Sequence, residues 1–503
     1  MNLLTNAWIP IQQNGQFQKI TLQELLCGEK TGELCLPRDD MELACLQLMC
    51  AITQVLITPQ DKKELGQYVM QPISRDAYKD ACQGKIDWFD LDHPETPFMQ
   101  FRGVKPSKSE PYTGMEKLLA GVADGANKVF VNQPGLGSFL CESCTAIALF
   151  NMANNAPSVG GGFQGGFRGN TPITIMIKGK TLRETVWFNV LTERFLNQVM
   201  PWYNETKLQK PNFVDKDEAG KKMSALEIGL VRGILWQPAH YELYPSNEVT
   251  ECSFCDVSAP VYKYFKKEKF KYVLEGCWPH PLSSRSFVIK EAGKEEKFMS
   301  LTTNAPYWTH MARLLIDEQT NKGGQTIAPV IQQAREFLSS KRLQIIIGGY
   351  RYKPPQTATI IERRHEFFSL AQGWEDHGDV IQLVIQSGLS YKTILRKALY
   401  LFAVGIKDKI HGSGVNLCDL AEVDYYQQTE NRLHQCLATI NFNAPDSDLE
   451  SLNSQLKETA TNIFNQVTEP YRQEPKMLKA LALARRSLHK SLKELEPQGV
   501  AND

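Results

Sequence analysis

The sequence has no excess of charge of either sign and no long apolar run. Its 503 residues include 56 Lys and Arg against 56 Asp and Glu, so the formal net charge is zero. No global field draws such a chain onto polyanions or a membrane, and any contact with nucleic acid must come from a local patch. The most apolar stretch, residues 43–57, is too short to span a membrane and contains Gln47 and Gln54. We interpret it as a core helix.

A secretory signal is also absent, because MNLLTNAWIP has no basic region followed by an apolar run and a small-residue cleavage site. We therefore expect a cytoplasmic protein. Thiols stay reduced in that compartment, so the twelve cysteines need not form disulfides. Neither the phosphate-loop signature G-x-x-x-x-G-K-[ST] nor the metalloprotease motif H-E-x-x-H occurs.

Two Cys-x-x-Cys pairs are present, Cys141 with Cys144 and Cys252 with Cys255. A turn of this spacing can point two thiolates at one ion, so the two pairs predict a tetrahedral four-sulfur site. We predict structural Zn²⁺ there, because four cysteines saturate the ion whereas catalytic zinc keeps an open position.

A glycine-rich segment follows the first cysteine pair and formally matches G-x-G-x-x-G at Gly160, Gly162 and Gly165. The segment follows a short apolar helix, residues 146–154, and Pro157, whereas the dinucleotide fingerprint requires a preceding buried strand. We therefore do not favour a dinucleotide site. The glycines do allow bare backbone to approach a ligand closely.

Residues 262–272 interleave lysines with aromatic side chains, and five lysines fall within nine of these residues. On an alternating strand the lysines could simply form the solvated face, and this interpretation stays open. Because the segment follows a predicted metal-binding pair, we favour contact with a phosphate or a groove of nucleic acid.

The pattern of the chain changes near residue 367. Before it, strands and helices alternate; they include a hairpin over residues 1–20, a capping box from Thr21 to Glu24 and a buried strand at 344–347. Three further elements are predicted there: a strand at 171–177, a helix at 185–199 and, at the charged residues 362–365, a helix N-terminus. Ion pairing by these four residues is the alternative interpretation.

After residue 367 only helices are predicted, and each carries an apolar stripe: 391–406, 425–440, 449–467 and 477–495. Four such helices with short connections predict a bundle. The fold class is therefore α+β. A large N-terminal mixed α/β domain (1–366) with a zinc-knuckle site precedes a C-terminal four-helix bundle (367–503).

Many short stretches together carry a family resemblance. They are LPRDDMELA, HPETPFMQ, MEKLLAGV, FVNQPG, CTAIALFN, GGGF, RGNTPIT, VRGILWQPAH, KEKF, WPHP, GGYR, ERRH, SYKTILRKALY, LALAR and the two cysteine pairs. Through them the chain resembles the CasA family, the large subunit of the type I-E CRISPR surveillance complex Cascade, nearly end to end.

The resemblance implies a non-catalytic protein of an antiviral defence system. Such a subunit recognises the protospacer-adjacent motif in double-stranded DNA, helps to open the duplex for guide RNA pairing and recruits a helicase-nuclease. The partners implied are the guide crRNA through its 5′ handle, double-stranded target DNA, other Cascade subunits and the helicase-nuclease, with no membrane.

Family roles also fall on single residues of this chain. Gly160, Gly161 and Gly162 resemble the glycine loop, and Lys269 resembles the lysine, that face the motif's minor groove. Ser158 stands where some relatives have another glycine, which leaves the core of the loop intact.

Two further loops carry family roles. Phe130, Val131 and Asn132 resemble the loop tip that contacts the guide RNA handle and a neighbouring subunit. Gln356 is similar to the glutamine that wedges into the duplex, and Lys353 is the second candidate for the tip, because this loop is longer than usual.

Two other functions compete with this interpretation. One is a zinc-dependent nucleic-acid-processing enzyme with His93, His240 or His365 as general base, which the saturated four-cysteine site argues against. The other is a scaffold that never touches nucleic acid, which the lysine–aromatic segment beside a glycine loop argues against.

Overall fold

The computed structural model describes residues 1–106, 111–122, 135–158, 162–204, 209–216, 221–291, 293–303, 305–338, 341–353 and 356–495. At 247, 352–353, 356–359 and 361 it describes the backbone alone. The chain divides into two compact units. The first comprises Met1–Thr303, Asp317–Phe337 and Gln344–Phe367, and the second comprises Asn304–Ile316, Leu338–Leu343 and Phe368–Asp503.

The described residues contain fourteen α-helices. They are α1 (Leu22–Leu26), α2 (Asp39–Leu56), α3 (Lys62–Met70), α4 (Arg75–Cys82), α5 (Glu142–Asn154), α6 (Leu182–Phe188), α7 (Glu193–Val199), α8 (Leu230–Ile234), α9 (Met311–Leu315), α10 (Pro329–Phe337), α11 (Gly378–Val404), α12 (Cys418–Thr439), α13 (Asp446–Thr468) and α14 (Leu478–Glu494).

The same part of the chain contains eighteen strands. They are β1 (Ile9–Gln13), β2 (Gln16–Ile20), β3 (Glu33–Leu34), β4 (Thr113–Gly114), β5 (Leu140–Cys141), β6 (Thr174–Ile177), β7 (Lys221–Ser224), β8 (His240–Glu251), β9 (Ser258–Glu268), β10 (Tyr272–Glu275), β11 (Arg285–Lys290), β12 (Gly293–Phe298), β13 (Glu318–Thr320), β14 (Gly323–Thr326), β15 (Leu343–Lys353), β16 (Gln356–Leu370), β17 (Gly405–Ile406) and β18 (Ile410–His411).

These strands form several small sheets, in the orders β2-β1-β3, β10-β7, β12-β11-β14-β13, β16-β15-β6 and β17-β18. In a further sheet, β9 pairs antiparallel with β4, β5 and β8. The predicted mixed α/β organisation is confirmed. None of the helices in the described ranges is long and apolar enough to cross a membrane.

Local sequence signals account for the start of the chain. Gln13 pairs with Gln16 across a two-residue turn in which Asn14 has φ 51° and Gly15 has φ 76°. Left-handed conformations at both positions match the twist of the flanking strands, which is why Asn-Gly favours a hairpin. The capping box is also confirmed, since Glu24 N donates to Thr21 Oγ1 at 2.9 Å and Thr21 N donates to a Glu24 carboxylate oxygen at 2.8 Å.

Two predicted helices are wrong. Residues 362–365 lie inside β16, where Arg351 Nε donates to Glu362 Oε2 at 2.8 Å. Arg351 of strand β15 thus pairs with the charge of Glu362, which the sequence pattern predicts at a helix N-terminus. The helix predicted at 185–199 is two helices, α6 and α7, because Thr192 caps a new start by accepting a hydrogen bond from Phe195 N.

The second unit contains four long helices, α11 to α14. The helix predicted at 449–467 is confirmed as α13, and its stripe is buried at Leu456, Ala460 and Ile463. Helix α11 begins at Gly378, well before residue 391. Across the α11–α12 contact, Tyr425 donates its hydroxyl hydrogen to Gly388 O at 2.9 Å.

One helical glycine of the first unit is required by close packing. A Cβ at Gly233 would lie 2.1 Å from Cζ2 of Trp278, a fully buried ring whose Nε1 donates to Ile228 O at 2.9 Å. Because the ring is held in place, we expect Gly233→Ala to lower the free energy of unfolding by about 1–3 kcal/mol in urea titrations.

Gly66 in α3 is the matched control. The nearest atom to its added Cβ would be Phe337 Cε2 at 3.7 Å, an ordinary contact distance. Gly66→Ala should therefore raise the free energy of unfolding by about 0.5–1 kcal/mol through the helix propensity of alanine. Stabilisation by both substitutions would show that the Trp278 ring can move aside.

Candidate nucleic-acid interface

The four cysteines of the two Cys-x-x-Cys pairs meet in the structure. Cys141 ends β5 and Cys144 lies in the first turn of α5, whereas Cys252 and Cys255 follow the end of β8. All four sulfur atoms lie within 4.8 Å of one another, and the Cys141 and Cys255 sulfurs are 3.7 Å apart. This cysteine cluster could hold a metal ion.

The electrostatics of the cysteine cluster favour a thiolate at Cys141, and hydrogen bonding to that thiolate raises the pKa of Cys144 and of Cys255. Hydrogen bonds from Cys144, Cys252 and Cys255, together with the charge of Lys19, lower the pKa of Cys141 far below that of a free thiol. Lys19 Nζ donates to Cys141 Sγ at 3.3 Å. Lys19 comes from β2 and was missed by sequence reasoning, because no spacing rule connects a hairpin lysine to a distant cysteine pair.

The cysteine cluster lies beside the lysine–aromatic strand and at the start of α5. Cys141 pairs with Val261 of β9, and the turn that carries Cys252 and Cys255 joins β8 to β9. Helix α5 then runs from the cluster to the glycine segment. The same four side chains therefore anchor both of the segments that the sequence singled out.

The described part of the glycine segment begins at Gly162, whereas Gly160 and Gly161 lie outside the described residues. Gly162 has φ +83°, and a Cβ there would lie 3.2 Å from Lys269 Nζ. The structure thus places Lys269 against Gly162, two positions that lie far apart in the sequence.

Side chains hold the glycine segment against residues 267–272. The side-chain amide of Gln164 accepts a hydrogen bond from Tyr272 N and donates one to Tyr272 O, both at 2.9 Å. It thus pairs with the Tyr272 backbone as a neighbouring strand would. Lys267 Nζ lies 5.7 Å from the centre of the Phe163 ring. A cleft of about 620 Å³ opens here, lined by Ser158, Gly162, Phe163, Gln164, Gly165, Gly166, Phe167, Gly169, Asn170, Tyr272, Val273 and Leu274.

A buried cation closes the far end of the glycine segment. Arg168 is 4% exposed, and burial lowers its pKa to about 9. Its guanidinium donates to uncharged oxygens of the described residues: to Ser283 Oγ at 2.7 Å, Asn154 O at 2.7 Å, Asn155 Oδ1 at 2.6 Å, Thr174 Oγ1 at 2.9 Å and Gln47 Oε1 at 3.5 Å. At neutral pH the side chain remains charged, so these oxygens hold a full positive charge inside the fold.

The hydrogen bonds continue from Arg168 to the strand before the predicted wedge loop. Asn155 Nδ2 donates to Asn151 Oδ1 at 3.0 Å, and Asn151 Nδ2 donates to the Tyr350 hydroxyl at 2.7 Å. That hydroxyl donates to Asp40 Oδ2 at 2.7 Å. Burial, followed by the Asp40 charge, raises the pKa of Tyr350 well above its ordinary value, so the hydroxyl stays protonated.

Asp40 ends this chain of hydrogen bonds. Arg38 Nε donates to Asp40 Oδ1 at 2.9 Å, and Arg363 NH1 of β16 lies 3.6 Å from the same oxygen. We call the series Arg168, Asn155, Asn151, Tyr350 and Asp40 the buried network. It was missed by sequence reasoning, although an arginine inside a glycine-rich segment with no neighbouring acid is a usable signal.

The remaining predicted site residues lie outside the described side chains. Phe130, Val131 and Asn132 fall in a range that the structure does not describe. For Lys353 and Gln356 only the backbone is described, at the end of β15 and the start of β16. The strand predicted at 344–347 is confirmed within β15, and Ile345 and Ile347 are fully buried there.

The three candidate general bases occupy packed positions. His93 Nδ1 accepts a hydrogen bond from Thr96 N at 2.9 Å, which is a turn contact. Burial lowers the pKa of both His240 and His365. Among the described residues, no histidine nitrogen lies within 4.8 Å of all four cysteine sulfurs.

Comparison with solved structures shows the same fold in CRISPR-associated proteins. Thermobifida fusca Cse1 superposes with a TM-score of 0.76 at 16% identity, covering 98% of this chain and 97% of that chain. Thermus thermophilus CasA gives 0.71 at 17% identity, covering 98% and 100%. A chain of a structure described as a CRISPR RNA-guided surveillance complex gives 0.66 at 14% identity, covering 97% and 99%.

The fold is therefore the one that these solved structures share. The family described as CRISPR-associated protein Cse1 matches residues 2–463, nearly the whole chain. The chain belongs to this Cse1 family, the CasA large subunits of type I-E Cascade. The resemblance inferred from the sequence is thereby confirmed.

The buried network makes a testable prediction at Tyr350. Tyr350→Phe leaves the Asn151 amide and the Asp40 carboxylate without their shared partner inside the fold. We expect the free energy of unfolding to fall by about 2–3 kcal/mol in urea titrations, because two buried polar groups each lose a hydrogen bond to the hydroxyl.

Tyr68→Phe provides the control, since the Tyr68 hydroxyl donates to Glu64 Oε1 at 2.6 Å in a half-buried position. Loss of this hydroxyl should change the free energy of unfolding by about 0.5 kcal/mol or less. Equal losses in the two variants would mean that the buried network contributes no more than a surface hydrogen bond.

Proposed function

We propose that this chain recognises the protospacer-adjacent motif of double-stranded target DNA through Gly162 and Lys269. The observation that carries the proposal is the contact between the glycine segment and Lys269, where a Cβ at Gly162 would meet the lysine Nζ at 3.2 Å. A minor groove presents adenine N3 and thymine O2 as acceptors, and a lysine is a suitable donor for them. Bare glycine backbone beside the lysine lets the chain approach the groove closely. Gly160 and Gly161 are proposed to extend this surface.

We propose further that the motif reader is the large subunit of an RNA-guided surveillance complex and is not itself an enzyme. Phe130, Val131 and Asn132 are proposed to contact the crRNA 5′ handle and a neighbouring Cascade subunit. Gln356, or alternatively Lys353, is proposed to wedge into the duplex so that guide pairing can begin. Membership in the Cse1 family supports these assignments.

The remaining parts of the proposed assembly follow from the same family membership. The C-terminal part, from residue 367, is proposed to be a four-helix bundle made of α11 to α14, and residues 1–366 to be the α/β domain that carries the motif-reading loops. After target binding the subunit is proposed to recruit the helicase-nuclease, in the cytoplasm.

Zn²⁺ is the ion that we propose for the cysteine cluster. A tetrahedral zinc with bonds of about 2.3 Å separates its sulfurs by about 3.8 Å, and the Cys141 and Cys255 sulfurs are 3.7 Å apart. The ion would be structural. It would tie β5 and the start of α5 to the turn between β8 and β9, and so position the glycine segment beside Lys269.

Motif reading is tested by Lys269→Ala in the assembled complex. The binding free energy for duplexes with different flanking trinucleotides should weaken by about 1–3 kcal/mol. The loss should be larger for the preferred motifs, because the lysine contacts base edges. Gel-shift titration against a panel of flanking sequences measures this. Lys271→Ala, an exposed lysine of the same segment, should lower binding to all sequences alike. A uniform loss in Lys269→Ala as well would reduce Lys269 to a phosphate contact.

The zinc proposal is tested by metal analysis of protein purified without chelator. We expect one zinc per chain, and we expect Cys252→Ser combined with Cys255→Ser to lose the metal and melt at a lower temperature, because metal binding contributes to folding. Cys27→Ser, at a half-buried cysteine outside the cluster, should retain the full zinc content. Protein that lacks zinc yet melts at the same temperature as the zinc form would contradict the proposal.

A further inference from the structure

A cluster of three aromatic rings and a lysine lies on the sheet centred on β9. Its members are Tyr112, Tyr244, Tyr264 and Lys266, which we call the tyrosine platform. Tyr112 immediately precedes β4, Tyr244 lies on β8, and Tyr264 and Lys266 lie two residues apart on β9. Side chains at such positions of a strand point to the same face.

The rings and the lysine contact one another directly. The Tyr112 ring centre is 6.0 Å from that of Tyr244 and 6.1 Å from that of Tyr264. Lys266 Nζ lies 5.6 Å from the Tyr112 ring centre and 4.7 Å from the Tyr244 ring centre. Two aromatic rings, Tyr112 and Tyr244, therefore lie beside the Lys266 cation, and the third ring, Tyr264, contacts Tyr112.

The tyrosine platform faces solvent. Tyr112 is 55% exposed and Tyr264 is 54% exposed, so about half of each of these two side chains is accessible to a ligand. Exposure of aromatic surface to water is unfavourable in free energy, and exposed apolar patches typically mark an interaction site.

The charge around the tyrosine platform favours an anionic ligand. Within the described residues Lys266 forms no salt bridge. The nearby carboxylate of Glu242 is buried, and it is used by the backbone amides of Gly103 and Val104, at 3.2 and 3.1 Å, and by the Tyr244 hydroxyl at 3.1 Å. A hydrogen bond with Tyr244, followed by nearby negative charge that includes Glu242, raises the pKa of Lys266, so the ammonium group stays charged and can hold a phosphate.

We propose that the tyrosine platform binds single-stranded nucleic acid, with bases stacked on Tyr112 and Tyr264 and a phosphate held by Lys266. A duplex hides the faces of its bases, whereas a single strand exposes them, and every base can stack on an aromatic ring. The ligand is therefore an unpaired stretch of RNA or DNA, recognised without a fixed sequence. This inference does not rest on the proposed motif reading by Lys269.

The test measures binding of fluorescein-labelled twelve-nucleotide oligo(dT) and oligo(U) to the full chain by fluorescence anisotropy. Tyr112→Ala and Tyr264→Ala should each weaken binding by about 5- to 100-fold, because each removes one stacking partner. Tyr264→Phe keeps the ring and should retain the affinity. Lys266→Ala should weaken binding and reduce its salt dependence, as loss of a phosphate contact does.

Tyr400→Ala is the matched control, since Tyr400 is 59% exposed on α11, outside this sheet. It should bind like the unaltered chain. The oligonucleotides contain neither a duplex nor a flanking motif, so their binding reports on the tyrosine platform and not on motif reading.

A covalent readout locates the ligand. An oligonucleotide carrying 5-iodouracil should photo-crosslink to Tyr112 or Tyr264, and binding of only one of the two oligonucleotides would identify the ligand as RNA or as DNA. Unchanged affinity in both alanine variants, or crosslinks confined to other residues, would overturn the proposal. If the alanine variants kept oligonucleotide binding but lost assembly with a protein subunit, the platform would be a protein-docking surface and the proposal would be wrong.

Discussion

A full positive charge inside the first unit constrains the arrangement of the elements around it. Among the described residues Arg168 forms no salt bridge, and its guanidinium is held by uncharged oxygens on Ser283, Asn155 and Thr174 and by the backbone at Asn154. A buried charge is tolerated only where hydrogen bonds replace its lost hydration. The end of α5, strand β6 and the segment after residue 282 must therefore stay in register with the glycine segment, since displacement of any of them would leave the charge unsatisfied.

Helix α5 is held at both ends. Its first turn carries Cys144 of the cysteine cluster, and its last turns carry Asn151 and Asn154, which belong to or contact the buried network. The glycine segment begins a few residues after the helix ends and returns to the network at Arg168. A loop with so many glycines has high conformational entropy when free. Fixing both of its ends limits that freedom and keeps its bare backbone beside Lys269.

The buried network also gives a physical meaning to several of the short stretches that carried the family resemblance. Arg38 and Asp40 come from LPRDDMELA, Tyr350 comes from GGYR, Arg363 comes from ERRH, and Arg168 comes from RGNTPIT. They meet because Asp40 accepts from Tyr350 and lies near Arg363, so strand β15 and strand β16 are tied to the same core as the glycine segment. The proposed motif reader and the proposed wedge loop thus extend from one rigid polar centre.

What the sequence determined by itself was local. The Asn14-Gly15 hairpin, the Thr21 capping box, helix α13 and the cysteine pairs each depend on residues a few positions apart, where turn chemistry and periodicity act directly. Pairing between distant segments was decided only by the tertiary structure. Residues 362–365 became a strand because Arg351 lies opposite them, Lys19 reaches Cys141 across 122 positions, and Tyr350 reaches Asp40 across 310. A local pattern carries no record of such partners, since the free energy of a buried charge or hydroxyl depends on which groups the fold brings within hydrogen-bond distance.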